Sequence, residues 1–174
     1  GSEMCIRDRY EVSKFLVKNG WKINIYSSDF NLSKRKFTKL KNIQIFKKDN
    51  QANGNFNGGE ILEKKPIGFP QDGGLLRPYS NLFYWAHAWA PKNDSVIGLH
   101  PHRGFEICSF VLKGEIEHYD TLLDKWITLK EGDVQVIKAG KGISHSEKLK
   151  KVSEIFQIWF DPNLHESLYE EANY

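Results

Sequence analysis

The chain has few cysteines and no long apolar run, which argues against disulfide-rich, cysteine-rich zinc and membrane-spanning proteins. Its 174 residues include only two cysteines, Cys5 and Cys108. Two are too few for a disulfide framework or a cysteine-rich zinc site. No apolar stretch approaches the roughly 20 residues needed to span a bilayer, and residues 1–4 lack the basic and apolar segments of a secretory signal. We therefore expect no membrane span and a reducing, cytoplasmic setting.

The composition is that of a globular protein with a small positive charge. Hydrophobic residues make up 40% of the chain, aromatic residues 13%, and the net charge is +3. Basic side chains are concentrated in residues 34–48. This concentration has two interpretations, a nucleic-acid-binding patch or a solvated lysine-rich surface. Phe37 and Phe46 are the only aromatic side chains among them, so we favour the solvated surface and expect no nucleic-acid binding.

The first fifty residues differ from the rest of the chain. Residues 1–9 resemble a cloning remnant or the read-through of a sequencing adapter. The segment Tyr10–Lys18 has apolar residues at helical spacing, and residues 21–25 alternate as in a strand. This helix–glycine–strand segment resembles part of an α/β nucleotide-sugar enzyme, so a chimeric gene model is one explanation. We assign residues 10–49 to an N-terminal segment of uncertain origin.

From residue 50 onward the pattern is typical of a β-protein. Residues 50–59 are rich in asparagine and glycine, which indicates a loop or linker. The predicted strands are 82–89, 105–112, 115–119, 126–129, 134–137 and 155–160. Short strands between glycine turns indicate a closed antiparallel barrel or sandwich. We expect this domain to cover residues 50–163, followed by a tail at 164–174 that is a short helix, a frayed end or the start of a linker.

Two short motifs carry candidate metal ligands, His100-Pro101-His102 and His145-Ser146-Glu147. Each has two ligand types at i and i+2, which places both side chains on one face of a strand. Two such pairs on facing strands can surround one ion with three imidazoles and a carboxylate. Those donors suit divalent iron, manganese, nickel, copper or zinc. The alternative is that these histidines are surface or core residues satisfied by hydrogen bonds.

The order of the motifs resembles the N-terminal domain of the pirin family, a branch of the cupins. The likeness runs from Asn53 to about Asn163. The segments that carry it are HPHRGFE (100–106), VLKGEIEH (111–118), GDVQ (132–135) and AGKGISHSE (139–147). The resemblance implies a mainly β fold, a cupin-type antiparallel β-barrel (double-stranded β-helix or jelly roll), here with an extra N-terminal α/β-like segment.

The resemblance also implies a ligand set. It assigns the metal to His100, His102, His145 and Glu147, with Fe(II) as the expected ion and manganese, nickel, copper or zinc as alternatives. General cupins use a glutamate at the place of Glu106, which is therefore the rival carboxylate. Pirins usually carry two cupin domains in tandem. Because this chain matches only the first, we expect a truncated gene model or a one-domain variant.

Two functions follow from this resemblance. One is a quercetin 2,3-dioxygenase-type enzyme, in which Glu147 is the catalytic base acting on a small aromatic, flavonol-like substrate. The other is a non-enzymatic, iron-dependent redox sensor or transcriptional co-regulator with a protein partner.

Three further residues are expected to have no role at the site. We expect Cys108 to be an inert core thiol in mid-strand. His87 should pack among aromatic side chains, and His118 should face solvent or the adjoining turn.

Overall fold

The computed structural model describes residues 23–26 and 43–174. The chain divides into two compact units, residues 1–50 and 51–174. In the first unit, strands β1 (Ile23–Tyr26) and β2 (Ile43–Phe46) pair in parallel. The strand predicted at residues 21–25 overlaps β1, whereas the helix predicted at 10–18 and the segment 1–9 lie outside the described residues.

The second unit is built from two antiparallel sheets. Its strands are β3 (Ala52–Phe56), β4 (Ile61–Ile67), β5 (Leu82–Trp89), β6 (Ser95–His102), β7 (Glu106–Lys113), β8 (Glu115–Asp120), β9 (Lys125–Lys130), β10 (Val134–Lys138), β11 (Ile143–Leu149) and β12 (Glu154–Phe160). The larger sheet has the order β10-β7-β12-β5-β4-β3, and the smaller has the order β6-β11-β8-β9. A one-turn helix, α1 (Leu164–Ser167), follows β12.

From β6 onward the chain passes back and forth between the sheets. Strands β7, β10 and β12 lie in the larger sheet, while β6, β8, β9 and β11 lie in the smaller one. The strands predicted from residue 82 onward are all present, and their ends differ by no more than one residue. The loop or linker predicted at residues 50–59 is wrong for Ala52–Phe56, because this asparagine- and glycine-containing segment pairs with β4 as the edge strand β3. The mainly β, antiparallel class predicted from the sequence is therefore confirmed. No helix in the described part of the chain is long and apolar enough to cross a membrane.

Gly114 shows how the chain turns so sharply from one sheet to the other. Strand β7 ends at Lys113 and β8 begins at Glu115, so a single residue makes the crossing. Gly114 has a φ of 70°, and a Cβ at this position would lie 3.2 Å from the Cα of Ser153. Both the left-handed backbone and the close approach require glycine.

The interior of the unit has apolar clusters with a polar row between them. One cluster consists of Ile61, Ala88, Ala90, Val111, Ile116, Leu149 and Ile155. The other consists of Ile107, Ile137, Ala139 and Ile143, with Trp159 packed against it. On β12, Gln157 lies between Ile155 and Trp159, and the register places Gln157 opposite Ser109. The two apolar clusters pack the sheets together. The polar row between them, which includes Gln157 and Ser109, is therefore available for a binding site.

Candidate metal centre

Neighbouring strands of the smaller sheet bring the predicted histidines together. His100 and His102 lie on β6, and His145 lies on the adjacent strand β11. The register places His145 opposite His100 and Ile143 opposite His102. Because opposite residues of an antiparallel pair share a face, the three imidazole rings point to one side of the sheet.

The three rings converge through their Nε2 atoms. His145 Nε2 lies 2.9 Å from His100 Nε2 and 2.9 Å from His102 Nε2. A ring nitrogen carries one proton or one lone pair, so His145 cannot make a linear hydrogen bond to both neighbours. Two metal bonds of about 2.0–2.2 Å that meet at a right angle separate their nitrogens by about 2.8–3.1 Å. The spacing therefore fits three lone pairs directed at one cation.

The backbone fixes the tautomer of His100. Its Nδ1 lies 2.8 Å from the carbonyl oxygen of Gly98, which can only accept a hydrogen bond. Nδ1 must therefore carry the proton, which leaves Nε2 as a free lone pair. Gly98 and His100 lie where the strand register shifts, since His100 and Ile97 pair with His145 and Glu147 of β11.

Burial keeps the other two imidazoles neutral. The pKa of His102 is lowered to about 3 by burial and by its neighbours His145 and His100. The pKa of His145 is likewise lowered to about 3 by burial and by His100 and His118. Metal binding requires deprotonated ligands. Both rings therefore offer lone pairs at neutral pH without first having to lose a proton.

The predicted carboxylate, Glu147, lies beside this triplet. It is 3% exposed and shares the strand β11 with His145. Two groups of side chains have ligand atoms within 4.8 Å of one another: His100, His102 and His145 form one, and His118, His145 and Glu147 form the other. His145 belongs to both groups, so Glu147 lies close to His145 but is not grouped with His100 and His102. Glu106, the rival carboxylate, belongs to neither group.

Sequence reasoning missed Gln157, which holds Glu147 in place. Its Nε2 donates to both carboxylate oxygens of Glu147, at 2.9 and 3.0 Å. Its Oε1 accepts a hydrogen bond of 3.0 Å from the indole of Trp159, which fixes the orientation of the amide. The available signal was a lone amide in the apolar run of β12, because a half-buried amide needs polar partners.

The prediction for His118 is wrong. His118 and Asp120 are both 0% exposed, and His118 Nε2 lies 2.8 Å from Asp120 Oδ2. The short strand β8 was predicted, but its position beside β11 was not, and that position turns His118 towards His145. Their ring centroids are 5.4 Å apart.

The other two expectations fare better. His87 packs between the rings of Trp89 and Phe156, as predicted. Cys108 lies in mid-strand on β7 as predicted, but it is half-buried rather than in the core. Burial together with Glu106 raises the pKa of its thiol. The thiol is therefore protonated at neutral pH, which agrees with an inert role.

Aromatic rings form a wall next to His102. The ring of Phe105 lies 5.0 Å and that of Trp159 lies 5.4 Å from the His102 ring, measured between centroids. Tyr84 stacks on the far part of this wall, with its ring 4.3 Å from Trp159. Flat apolar surfaces beside nitrogen donors can hold an aromatic ligand and exclude water from it.

The sequence is similar to a known protein family and to individual proteins. Residues 75–160 match the family model described as Pirin. A Zymomonas mobilis protein named as a candidate quercetin 2,3-dioxygenase is 43% identical over 120 residues, which cover 51% of each chain. The quercetin 2,3-dioxygenase of Escherichia coli K12 is 39% identical over 79 residues, covering 40% of this chain and 34% of that protein. The chain thus matches about half or less of the length of these relatives.

A solved structure shares the fold. The bacterial pirin YhhW from Escherichia coli, in complex with nickel(II), superposes with a TM-score of 0.60 at 24% sequence identity. The likeness covers 72% of this chain and 55% of that one. It supports the cupin-type fold predicted from the sequence. The family match itself covers residues 75–160, which are therefore a pirin-type domain.

Proposed function

We propose that the protein binds one divalent first-row metal ion through His100, His102, His145 and Glu147. The observation that carries this proposal is the position of His145 Nε2, 2.9 Å from the Nε2 atoms of both other histidines. Three neutral imidazoles and one carboxylate suit Fe(II), and also manganese, nickel, copper and zinc. The fixed tautomer of His100 and the low pKa of His102 and His145 support the same conclusion.

The site best suits a dioxygenase of the quercetin 2,3-dioxygenase type. A metal held there supplies Lewis acidity and redox chemistry with dioxygen. The rings of Phe105 and Trp159 would bind the flat apolar face of a flavonol and exclude water. Glu147 would accept the proton of the flavonol hydroxyl group, as the carboxylate among the proposed ligands. Gln157 would keep that carboxylate oriented, since it holds both oxygens.

Metal content tests the ligand set. Purified protein and a His145→Ala variant would be loaded with Fe(II) or Mn(II), desalted and measured by elemental analysis. We expect about one ion per wild-type chain and strong depletion in the variant. The matched control is His165→Ala, because His165 is an exposed histidine on α1. Equal metal content in wild type and His145→Ala would refute the assignment.

Flavonol turnover tests the activity separately. We expect the metal-loaded protein to consume quercetin, seen as loss of its visible absorbance with uptake of oxygen. A Glu147→Gln variant should bind the metal more weakly, and its turnover per bound ion should be mostly lost. Absence of turnover with iron, manganese, nickel and copper each supplied would remove the enzyme proposal and leave the metal site standing.

The sensor hypothesis stays a prediction, as does a cytoplasmic location. No feature within residues 47–174 identifies a protein partner. We prefer the dioxygenase because the rings of Phe105 and Trp159 lie beside His102, where they would contact an aromatic ligand of the metal.

A further inference from the structure

A buried histidine–aspartate pair lies next to the proposed ligand His145. His118 and Asp120 belong to β8, and the register of β8 with β11 places Asp120 opposite His145 and His118 opposite Glu147. Both side chains are 0% exposed. Neither is needed for the fit of the three converging imidazoles. Two fully buried polar side chains beside a ligand call for a physical account.

Asp120 is saturated with hydrogen-bond donors. Its Oδ1 accepts the backbone N–H groups of Leu122 and Leu123, each at 2.8 Å. Its Oδ2 accepts from His118 Nε2 at 2.8 Å and also from the hydroxyl of Tyr174. Four donors thus face this carboxylate, which therefore acts as an ionised acceptor.

This carboxylate sets the tautomer of His118. Because Asp120 can only accept, His118 Nε2 must carry a proton and donate it. In the neutral ring, Nδ1 is then a free lone pair. His118 Nδ1 is buried and has no hydrogen-bond partner among the described residues.

His145 has the complementary need. If its Nε2 binds the metal, the ring proton must lie on Nδ1. That Nδ1 is also buried and without a partner in the described part of the chain. A ligating histidine almost always donates its second N–H to an acceptor, which fixes the ring and strengthens the ligand. Two neighbouring rings, with centroids 5.4 Å apart, thus carry an unpaired donor and an unpaired acceptor.

We propose that Asp120 and His118 are positioning residues that hold His145 in its metal-binding tautomer. In this arrangement His118 Nδ1 accepts the Nδ1 proton of His145 when His145 Nε2 binds the ion. The chain of hydrogen bonds runs from the Leu122 and Leu123 backbone through Asp120 and His118 to the ligand. The inference rests on the proposed metal site and adds two residues outside the ligand set to it.

The variant Asp120→Asn breaks this chain with little change of shape. The two backbone N–H groups require the amide oxygen on their side, so the amide NH₂ faces His118. His118 Nε2 must then accept, its proton moves to Nδ1, and two N–H groups face each other. We expect affinity for Zn²⁺, measured by competition with a chelator, to fall about 10–100-fold.

Tyr174→Phe is the matched control. It removes another hydrogen bond to the same oxygen, Asp120 Oδ2, but leaves the carboxylate and the His118 tautomer intact. Its zinc affinity should stay within about threefold of wild type, because its hydroxyl lies outside the chain to His145. Circular dichroism would verify that both variants are folded. Equal affinity of Asp120→Asn and wild type would overturn the positioning role.

Nitrogen NMR tests the proposed contact directly. With ¹⁵N-labelled histidine and Zn²⁺ as a diamagnetic probe, we expect a scalar coupling between His145 Nδ1 and His118 Nδ1, transmitted through the shared proton. This readout does not depend on activity, and a merely structural role for His118 would not produce it. Bound zinc with three Nε2-ligated histidines but no such coupling would overturn the inference and leave the metal site intact. Failure of the wild type to bind zinc would overturn both.

Discussion

The same short pattern, a histidine followed two residues later by a carboxylate, occurs on two adjacent strands with different results. On β8 the pattern is His118-Tyr119-Asp120, and on β11 it is His145-Ser146-Glu147. The strands are antiparallel, so each histidine lies opposite the carboxylate of the other pattern. In both patterns the histidine and the carboxylate are at most 3% exposed. Spacing, strand type and burial are thus nearly matched, and only their partners differ.

The partners decide what each pattern can do. Asp120 accepts hydrogen bonds from His118, from the Tyr174 hydroxyl and from two backbone N–H groups, so its carboxylate has no free position for a metal ion. Glu147 is held by Gln157 from the larger sheet, which leaves the ring of His145 free to meet His100 and His102. A carboxylate occupied by backbone donors supports the fold, whereas one held by a single side chain remains available as a ligand.

The largest expected difference between the patterns is in stability. Asp120→Ala should lower the free energy of unfolding by about 3–5 kcal/mol, because it leaves His118 and the Leu122 and Leu123 N–H groups buried without an acceptor. Glu147→Gln should change it by less than about 1 kcal/mol, since the new amide can still pair with Gln157. Urea unfolding of both variants, after removal of metal with a chelator, measures the contrast. Equal losses would mean that Glu147 is as structural as Asp120.

The contrast also explains what the sequence could predict. Spacing at i and i+2 was enough to place His100 and His102 on one face of a strand, and six strands from residue 82 onward followed from alternation and glycine turns. The strands that carry the histidines, β6 and β11, were not predicted, and it is their pairing that brings His145 opposite His100. The same rule applied to His118-Tyr119-Asp120 could not say which strand would lie beside β8. The antiparallel pairing of β8 with β11 depends on contacts between residues about thirty positions apart, which no local pattern encodes.

Gln157 was unpredictable for the same reason. Its role depends on β12, in the larger sheet, facing β11 in the smaller one. The sequence shows only an amide in an apolar strand. It gives neither the carboxylate that the amide binds nor the indole that orients it.

Titrating residues of β11 and β8 should reduce the stability of the protein in different pH ranges. The pKa of His145 and that of His102 are about 3 in the folded chain, below the ordinary 6.5. Between these values the unfolded state binds more protons, so stability is full above about pH 6.5 and falls with decreasing pH. One such ring accounts for a loss on the order of 3 kcal/mol between pH 7 and pH 4. The lowered pKa of Asp120 adds its own loss only below its ordinary value of 3.8.

The measurement is urea unfolding of chelator-treated protein at a series of pH values. His145→Phe keeps a buried ring without a titrating nitrogen, so its stability should fall less steeply between pH 6.5 and pH 4. An unchanged slope in this variant would show that His145 does not titrate in that range.

Gln157 should matter for the metal more than for the fold. Gln157→Leu removes the donor that holds both oxygens of Glu147, so the carboxylate loses its orientation towards His145. We expect the affinity for Zn²⁺ to fall about 10-fold or more, as is typical when a group that orients a ligand is removed. Chelator competition measures this change, and an unaltered affinity would remove Glu147 from the ligand set or Gln157 from its support.

Gln135 provides the matched comparison for Gln157. It lies on β10 opposite Ser109, in the same polar row, and is 7% exposed. Neither end of its amide has a hydrogen-bond partner among the described residues, unlike the amide of Gln157. Gln135→Leu, of similar size, should therefore raise the free energy of unfolding by about 1 kcal/mol and leave zinc affinity unchanged. If it instead weakens zinc binding, the polar row acts as one unit and the amide of Gln135 belongs to the site.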